Sequence, residues 1–328
     1  MRQVKARWAD QPQEDETQAQ QRGDHMTDPT WTKGPPGTIL LATDLSSRCD
    51  RATDRAIQLA KLWHAKLVVL TVIEPKPEEA IRDEPFEPHS WRRPPGPEAL
   101  AAARIRRDFG DVFKDADLHV VEGDPSTTID AVARDVGAEL IVTGVARDQT
   151  FGRYFLGSTV DKLARQTPVP LLIVKGRVEY YGEILVATDF SESSQYALTA
   201  ADRFFPSAPI TVLHAWEVPF PGFLDKGDFR DQWREHERKA CEDFMERSQL
   251  TWEARARVSV LVEHGAPEVL VRDYMLDRDV DLVVVGTHGQ GGMFDKRLGG
   301  TAKRLLEWAP GDVLLIREPR AARSAQSA

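Results

Sequence analysis

Residues 39–46 read ILLATDLS, and residues 184–191 read ILVATDFS, 145 positions later. Each segment begins with an apolar run typical of a short buried β-strand and ends in an aspartate followed closely by a serine. Further apolar segments recur at a spacing of 142, namely 139–144 with 281–286 and 167–175 with 309–317. The nearly constant spacing indicates a tandem duplication of a domain of about 140 residues.

Both halves alternate short apolar segments with helical patterns. Five strands are predicted in each half, and these strands are apolar on both faces. Strands of this kind, separated by helices, form parallel sheets that are covered on both sides. The sequence therefore predicts an α/β protein with two open five-stranded parallel-sheet domains.

The length of 328 residues suits two domains of ordinary size. We expect the domains at residues 37–176 and 181–318, between tails at 1–36 and 319–328. The N-terminal tail is rich in Gln, Asp, Glu and Pro and has no apolar period, so we expect it to be disordered. Residues 74–97 carry seven prolines and form either a mobile lid or a disordered insert.

The composition excludes several classes of protein. No apolar run approaches the roughly 18 residues of a membrane helix, and the N-terminus has no apolar signal segment. The net charge of −9 argues against a nucleic-acid binder, whose affinity rests on neutralising phosphates. The two cysteines, Cys49 and Cys241, exclude a disulfide framework and a Cys-rich zinc site. We therefore expect a cytoplasmic protein that binds neither membranes nor nucleic acid.

Two aspartates stand where a ligand is expected. In open α/β sheets, ligands bind beyond the carboxyl ends of the strands. Asp44 and Asp189 directly follow the first strand of their halves. Either these aspartates contact a ligand, or they cap the helices that follow.

A glycine-rich loop follows the fourth strand of the second half and leads into a helix. Its glycines have the pattern Gly-x2-Gly-x9-Gly and are Gly286, Gly289 and Gly299. Glycines let the backbone approach a phosphate, and the helix N-terminus that follows attracts an anion. In the first half, Gly144 and Gly157 keep their spacing, but Arg147 takes the middle position. The Arg147 side chain either blocks the ligand or donates to a phosphate, and plain turns are the alternative reading of both loops.

The ATD segment and the glycine loop together resemble the universal stress proteins, in the tandem form with two domains in one chain. The resemblance spans residues 37–317. It implies an adenine-nucleotide α-hydrolase-like sheet with strand order 3-2-1-4-5, which binds ATP together with Mg²⁺. Domains of this family pair through their last strands, which predicts that the two halves form an intramolecular pseudo-dimer. Whether whole chains pair further as a homodimer is left open.

The resemblance also implies roles for individual residues. Asp44 and Asp189 are expected to contact the adenosine, and Val72 and Ala215, late in the second strands, are expected to meet the adenine. The glycine loop and the hydroxyl after its last glycine are expected to hold the ribose and phosphates. These positions are Gly144, Gly157 and Ser158 in the first half, and Gly286, Gly289, Gly299, Gly300 and Thr301 in the second.

Both halves depart from the full family pattern. Arg147 replaces a glycine in the first half, and Gly300 replaces the hydroxyl in the second, although Thr301 follows. We expect the second half to hold the better nucleotide site, because its backbone is free to approach the phosphates.

The expected function is that of a nucleotide-binding stress or energy-state sensor that acts on unidentified protein partners. The chain has no Walker loop and no GxSxG elbow, so we predict no turnover enzyme. Slow ATP hydrolysis or autophosphorylation stays open. The alternative is a nucleotide-free interaction protein whose sites have degenerated.

Three histidines suggest a separate hypothesis. His214, His264 and His288 are expected at the same sheet edge as Asp189, where they could hold one metal ion. No HExxH motif or close histidine pair supports this hypothesis. We therefore predict no metal ligands among the side chains.

Overall fold

The computed structural model describes residues 33–46, 49–75, 96–110, 116–147, 154–177, 180–217, 227–287 and 298–318. The predicted C-terminal tail, nearly all of the predicted N-terminal tail and most of the proline-rich segment lie outside these residues. The chain divides into two compact units, one within Pro36–Glu179 and the other from Tyr180 onward.

The first unit alternates strands with helices. Its elements are β1 (Thr38–Ala42), α1 (Asp50–Trp63), β2 (Lys66–Ile73), α2 (Pro97–Phe109), β3 (Asp117–Glu122), α3 (Pro125–Asp135), β4 (Leu140–Gly144), α4 (Ser158–Gln166) and β5 (Leu171–Val174). A small antiparallel hairpin of Ala146–Arg147 with Tyr154–Phe155 lies between β4 and α4.

The second unit repeats this order with one additional short helix. Its elements are β6 (Ile184–Thr188), α5 (Glu192–Phe204), β7 (Ile210–Trp216), α6 (Gly227–Arg247), α7 (Trp252–Ala256), β8 (Val258–His264), α8 (Pro267–Arg278), β9 (Leu282–Gly286), α9 (Gly300–Trp308) and β10 (Asp312–Ile316).

Each unit has parallel strands in the same spatial order. The first unit has the order β3-β2-β1-β4-β5, and the second has β8-β7-β6-β9-β10. In β1, Leu41 pairs with Val69 of β2 and Val142 of β4. In both units the second and third strands lie on one side of the first strand, and the fourth and fifth strands lie on the other. The predicted order 3-2-1-4-5 is therefore confirmed.

The core of each unit lies around its two central strands. Side chains of β1, β4, β6 and β9 are almost completely buried, as expected for strands covered on both faces. Full burial of one such Leu, Ile or Val side chain stabilises the fold by about 1.5–3 kcal/mol. Within the described residues, no helix is long and apolar enough to cross a membrane.

Candidate functional site

The carboxyl ends of three strands bring the predicted residues of the second unit together. Thr188, the last residue of β6, pairs with His214 of β7, so Asp189 and Ala215 follow at the same level. On the other side, Ala187 pairs with Val285, which places Gly286 beside the end of β6. The crevice lies where the strand order changes direction, which is the usual ligand position in open α/β sheets.

A cavity of about 310 Å³ opens at this edge of the second unit. All the predicted second-half residues that the structure describes line it, namely Asp189, Ala215, Gly286, Gly299, Gly300 and Thr301. Apolar side chains such as Leu213, Pro267 and Val271 form much of the wall. The predicted Gly289 lies outside the described residues. The cavity thus combines an apolar wall, one carboxylate and a helix N-terminus.

The carboxylate of Asp189 is oriented by two donors. Its Oδ1 accepts hydrogen bonds from the Ser191 N–H at 3.1 Å and from the Ser194 hydroxyl at 2.7 Å. Ser191 itself caps α5, because its hydroxyl accepts from the Ser194 N–H at 3.3 Å. The alternative that Asp189 caps the helix is therefore wrong, and the side chain is held at the cavity instead.

A strained residue follows the aspartate in both units. Leu45 has φ of 58° and Phe190 has φ of 64°, in the left-handed region that L-residues seldom adopt. Such a conformation costs of order 1–3 kcal/mol and persists only where surrounding contacts impose it. Phe190 is buried and stacks on His214 with ring centroids 4.0 Å apart. The strained turn lets the chain leave the strand sharply, so that the aspartate stays at the mouth of the site.

The N-terminus of α9 contributes backbone donors to the cavity. The Gly299 N–H donates to the Thr287 carbonyl at 2.9 Å, and the first helical bond runs from the Lys303 N–H to the Gly299 carbonyl. The N–H groups of Gly300, Thr301 and Ala302 thus have no partner inside the helix. Because these three residues line the cavity, an anion bound there also gains from the helix dipole.

Gly286 and Gly300 differ in whether the surrounding atoms leave room for a side chain. A Cβ on Gly286 would lie 2.5 Å from the Ser193 hydroxyl oxygen and 2.8 Å from Ser193 backbone atoms, so α5 requires a glycine there. Among the described residues, a Cβ on Gly300 would have only Arg304 Nη1 nearby, at 3.7 Å. The first glycine of the motif is therefore explained by helix packing, whereas the position of Gly300 accepts a side chain.

The first unit repeats this arrangement with different side chains. Ala42 pairs with Leu70 and Thr143, so Asp44, Val72 and Gly144 occupy the places of Asp189, Ala215 and Gly286. Asp44 Oδ1 accepts from the Ser46 N–H at 2.9 Å and from the Cys49 thiol at 3.2 Å. Cys49, not Asp44, is the residue before α1, so Asp44 is not a helix cap either.

The N-terminus of α4 in the first unit resembles that of α9 in the second. Gly157 precedes α4 with no side-chain cap, and Ser158 is the exposed first residue of the helix. The backbone of Arg147 pairs with Tyr154 in the small hairpin. Blocking and phosphate donation both stay predictions for the Arg147 side chain.

A basic residue beside each helix N-terminus was missed by the sequence analysis. Arg304 of α9 pairs with Glu268 of α8 at 3.1 Å, and Lys162 of α4 pairs with Asp124 at 3.3 Å. Hydrogen bonds from Ser126, from the Thr127 N–H and from Lys162 hold the pKa of Asp124 well below its ordinary range. The alignment of the two halves could have revealed these basic residues, because Lys162 and Arg304 occupy equivalent positions in it.

The histidines do not converge on a metal. His214 is buried, with Nδ1 2.9 Å from the Thr188 carbonyl oxygen and Nε2 3.2 Å from Glu237 Oε2. His264 packs edge-on against Trp216 at 4.8 Å, and His288 lies outside the described residues. In the part of the chain that the structure describes, no group of three His, Cys, Asp or Glu side chains is placed to hold a metal ion.

Comparison with known sequences identifies the repeated domain. Residues 36–175 and 181–317 each match the sequence model of the universal stress protein family. A universal stress protein of Mycolicibacterium smegmatis is 25% identical over 298 residues, which cover 85% of this chain and 96% of the relative. A universal stress protein of Thermus aquaticus is 31% identical over 144 residues, which cover 42% of this chain and 98% of the relative. The chain is thus similar both to a two-domain relative and to a one-domain relative.

Solved structures show the same fold. A Pseudomonas aeruginosa PAO1 protein of unknown function matches with a TM-score of 0.60 at 19% identity, covering 88% of this chain and 94% of that chain. A universal stress protein from Archaeoglobus fulgidus matches with a TM-score of 0.56 at 18% identity, covering 86% of this chain and 99% of that chain. At these identities the likeness concerns the fold alone.

Proposed function

Because this chain belongs to the universal stress protein family, with two copies of the family's domain, we propose that it binds ATP with Mg²⁺ in the cavity of the second unit. The observation that carries the proposal is the convergence of Asp189, Ala215 and the N-terminus of α9 on one cavity. The bound nucleotide would report stress or energy state to protein partners, in a chain that we propose to be cytoplasmic.

The chemistry of the cavity wall fits the parts of an adenine nucleotide. The apolar side chains beside Ala215 suit a flat aromatic base, and Asp189 offers an acceptor for a hydroxyl or amino group. The N–H groups at the start of α9 suit phosphate oxygens. Among the described residues the cavity offers one carboxylate, so the phosphates themselves would supply most of the ligands of Mg²⁺.

We propose a sensor rather than a turnover enzyme. The chain has neither a Walker loop nor a GxSxG elbow. The strained turn and the two donors on Asp189 support a rigid binding site. Slow hydrolysis of ATP or autophosphorylation is the enzymatic alternative, and radiolabelled γ-phosphate release or transfer distinguishes it from binding alone.

Direct measurement of bound nucleotide tests the proposal. We expect the purified chain, once denatured, to release adenine nucleotide, and the emptied chain to bind ATP–Mg²⁺ in a calorimetric titration. About one ATP per chain would place binding in one unit, and about two would mean that the first unit tolerates Arg147. A chain that releases no adenine nucleotide and gives no heat with ATP contradicts the proposal and favours the nucleotide-free interaction protein.

Gly300→Ser is expected to strengthen ATP binding by the second unit. Ser158 supplies a hydroxyl at this place in the first unit, and Gly300 leaves room for one. A new hydrogen bond to a phosphate oxygen should lower the Kd by about 10-fold. Gly300→Ala is the matched control, since it adds the Cβ without the hydroxyl. Equal affinities of the two variants would show that no phosphate lies near this position.

A further inference from the structure

Ser194 is a residue of α5 whose side chain contacts the carboxylate of Asp189. It belongs to the first turn of α5, the residue is 3% exposed, and it lines the cavity. Its hydroxyl donates to Asp189 Oδ1 at 2.7 Å and accepts from the Asp189 N–H at 3.3 Å. One hydroxyl thus holds both the backbone and the side chain of the same residue.

The hydrogen bonds around Ser194 have a favoured direction. Its Oγ is 3.2 Å from the Ser191 Oγ, and either oxygen could donate. A carboxylate oxygen accepts only, so the single Ser194 proton goes to Asp189. With the Ser194 proton directed to Asp189, Ser191 is the donor available to the Oγ–Oγ contact, while its own oxygen accepts from the Ser194 N–H. The resulting chain runs from Ser191 through Ser194 to Asp189 and favours one orientation of the carboxylate.

The first unit carries a natural substitution at this place. At the spacing of 145 that relates the two ATD segments, Cys49 is equivalent to Ser194. The Cys49 thiol is 3.2 Å from Asp44 Oδ1, compared with 2.7 Å for the Ser194 hydroxyl and Asp189. A thiol is a weak donor, and Cys49 is buried. The hydrogen bond that Cys49 gives to Asp44 is therefore weaker than the one that Ser194 gives to Asp189.

We propose that Ser194 is a positioning residue of the second-unit site, and that the exchange of its hydroxyl for the Cys49 thiol makes the first unit the weaker site. The inference rests on the proposed binding of ATP. Ser194 acts through Asp189, which it orients toward the bound nucleoside. The two units then respond to different concentrations of the same nucleotide, which widens the range over which one chain can sense it.

Exchange of the two side chains tests this inference. The variants are Ser194→Ala, Ser194→Cys and Cys49→Ser, each titrated calorimetrically as the full chain with ATP–Mg²⁺. Removing a hydrogen bond to a charged group should raise the Kd of the tighter site about 10-fold in Ser194→Ala, with a smaller rise in Ser194→Cys. Cys49→Ser should tighten the weaker site several-fold. If the hydroxyl at this place only stabilised the fold, Cys49→Ser would not tighten ATP binding by the first unit.

The outcomes separate this inference from the proposed function. Loss of affinity in Ser194→Ala, partial rescue in Ser194→Cys and a gain in Cys49→Ser support the positioning role. A wild-type chain that binds ATP, with Ser194→Cys as tight as wild type and Cys49→Ser unchanged, overturns the inference and leaves the proposed function standing. A wild-type chain that binds no ATP overturns both. Should Ser194→Ala fail to fold, the other two variants carry the test.

Discussion

Gly286→Ala is expected to lower the free energy of unfolding of the second unit by about 1–3 kcal/mol, the usual cost of forcing extra atoms into a packed core. The new Cβ would lie 2.8 Å from the carbonyl carbon and oxygen of Ser193. These are backbone atoms at the start of α5, so they can move away only if the helix shifts against β9. A shift of α5 would also displace Ser194 and with it Asp189, so ATP binding should weaken as well.

Differential scanning calorimetry measures this effect, with Gly300→Ala as the control. Gly300 belongs to the same motif, but in the part of the chain that the structure describes a Cβ there meets no atom closer than Arg304 Nη1, at 3.7 Å. We expect the control to unfold within about 0.5 kcal/mol of the wild type, as is usual for substitutions away from packed contacts. If Gly286→Ala is as stable as the control, α5 yields easily and packing does not explain this glycine.

Asp189→Asn is expected to raise the Kd of ATP at the second unit by about 10-fold to 100-fold, because in the proposed binding mode it removes the charge from the carboxylate that accepts a hydrogen bond from the nucleoside. The amide keeps the size of the side chain. The amide carbonyl oxygen can still accept from the two donors that now converge on Oδ1, the Ser191 N–H and the Ser194 hydroxyl. The fold should therefore survive, which calorimetric unfolding can verify.

Asp44→Asn is the matched variant in the first unit, where Asp44 is exposed and accepts a hydrogen bond from the Cys49 thiol. If only the second unit binds ATP, Asp44→Asn leaves the titration unchanged and Asp189→Asn raises its Kd. If both units bind, each variant raises the Kd of one of the two binding phases. A titration that neither variant changes would mean that ATP binds elsewhere, and that the cavity beside Asp189 is not the nucleotide site.

Much of the fold could be predicted from patterns that lie close together along the chain. The apolar segments that became β1 and β6 are short, apolar on both faces and followed by helical periods, and this is enough to predict covered parallel strands. Their recurrence predicts two similar units. The strand order came from the family resemblance, because nothing in a single apolar strand specifies which neighbour it will pair with. The pairing of the two units as a pseudo-dimer stays a prediction.

The candidate site was predictable to a smaller extent. Asp189 and the glycine before α9 could be placed at one sheet edge, because carboxyl ends of parallel strands meet there. The helix-cap alternative for Asp189 could not be rejected, since an aspartate two residues before a serine suits either role. The structure rejects it, because Ser191 makes the capping hydrogen bond.

The sequence by itself determined the duplication, the α/β class and the identity of the residues that reach the carboxyl ends of the strands. The duplication, the class and the aspartates and glycines at the strand ends follow from periodicity, spacing and residue type within short segments, whereas Val72 and Ala215 were assigned from the family resemblance. Only the tertiary structure decided why Gly286 must be a glycine, how Ser194 holds Asp189 and which acidic residue pairs with Arg304. These features depend on distances between atoms after the backbone has turned sharply or crossed the sheet. A pattern along the chain carries no information about such distances.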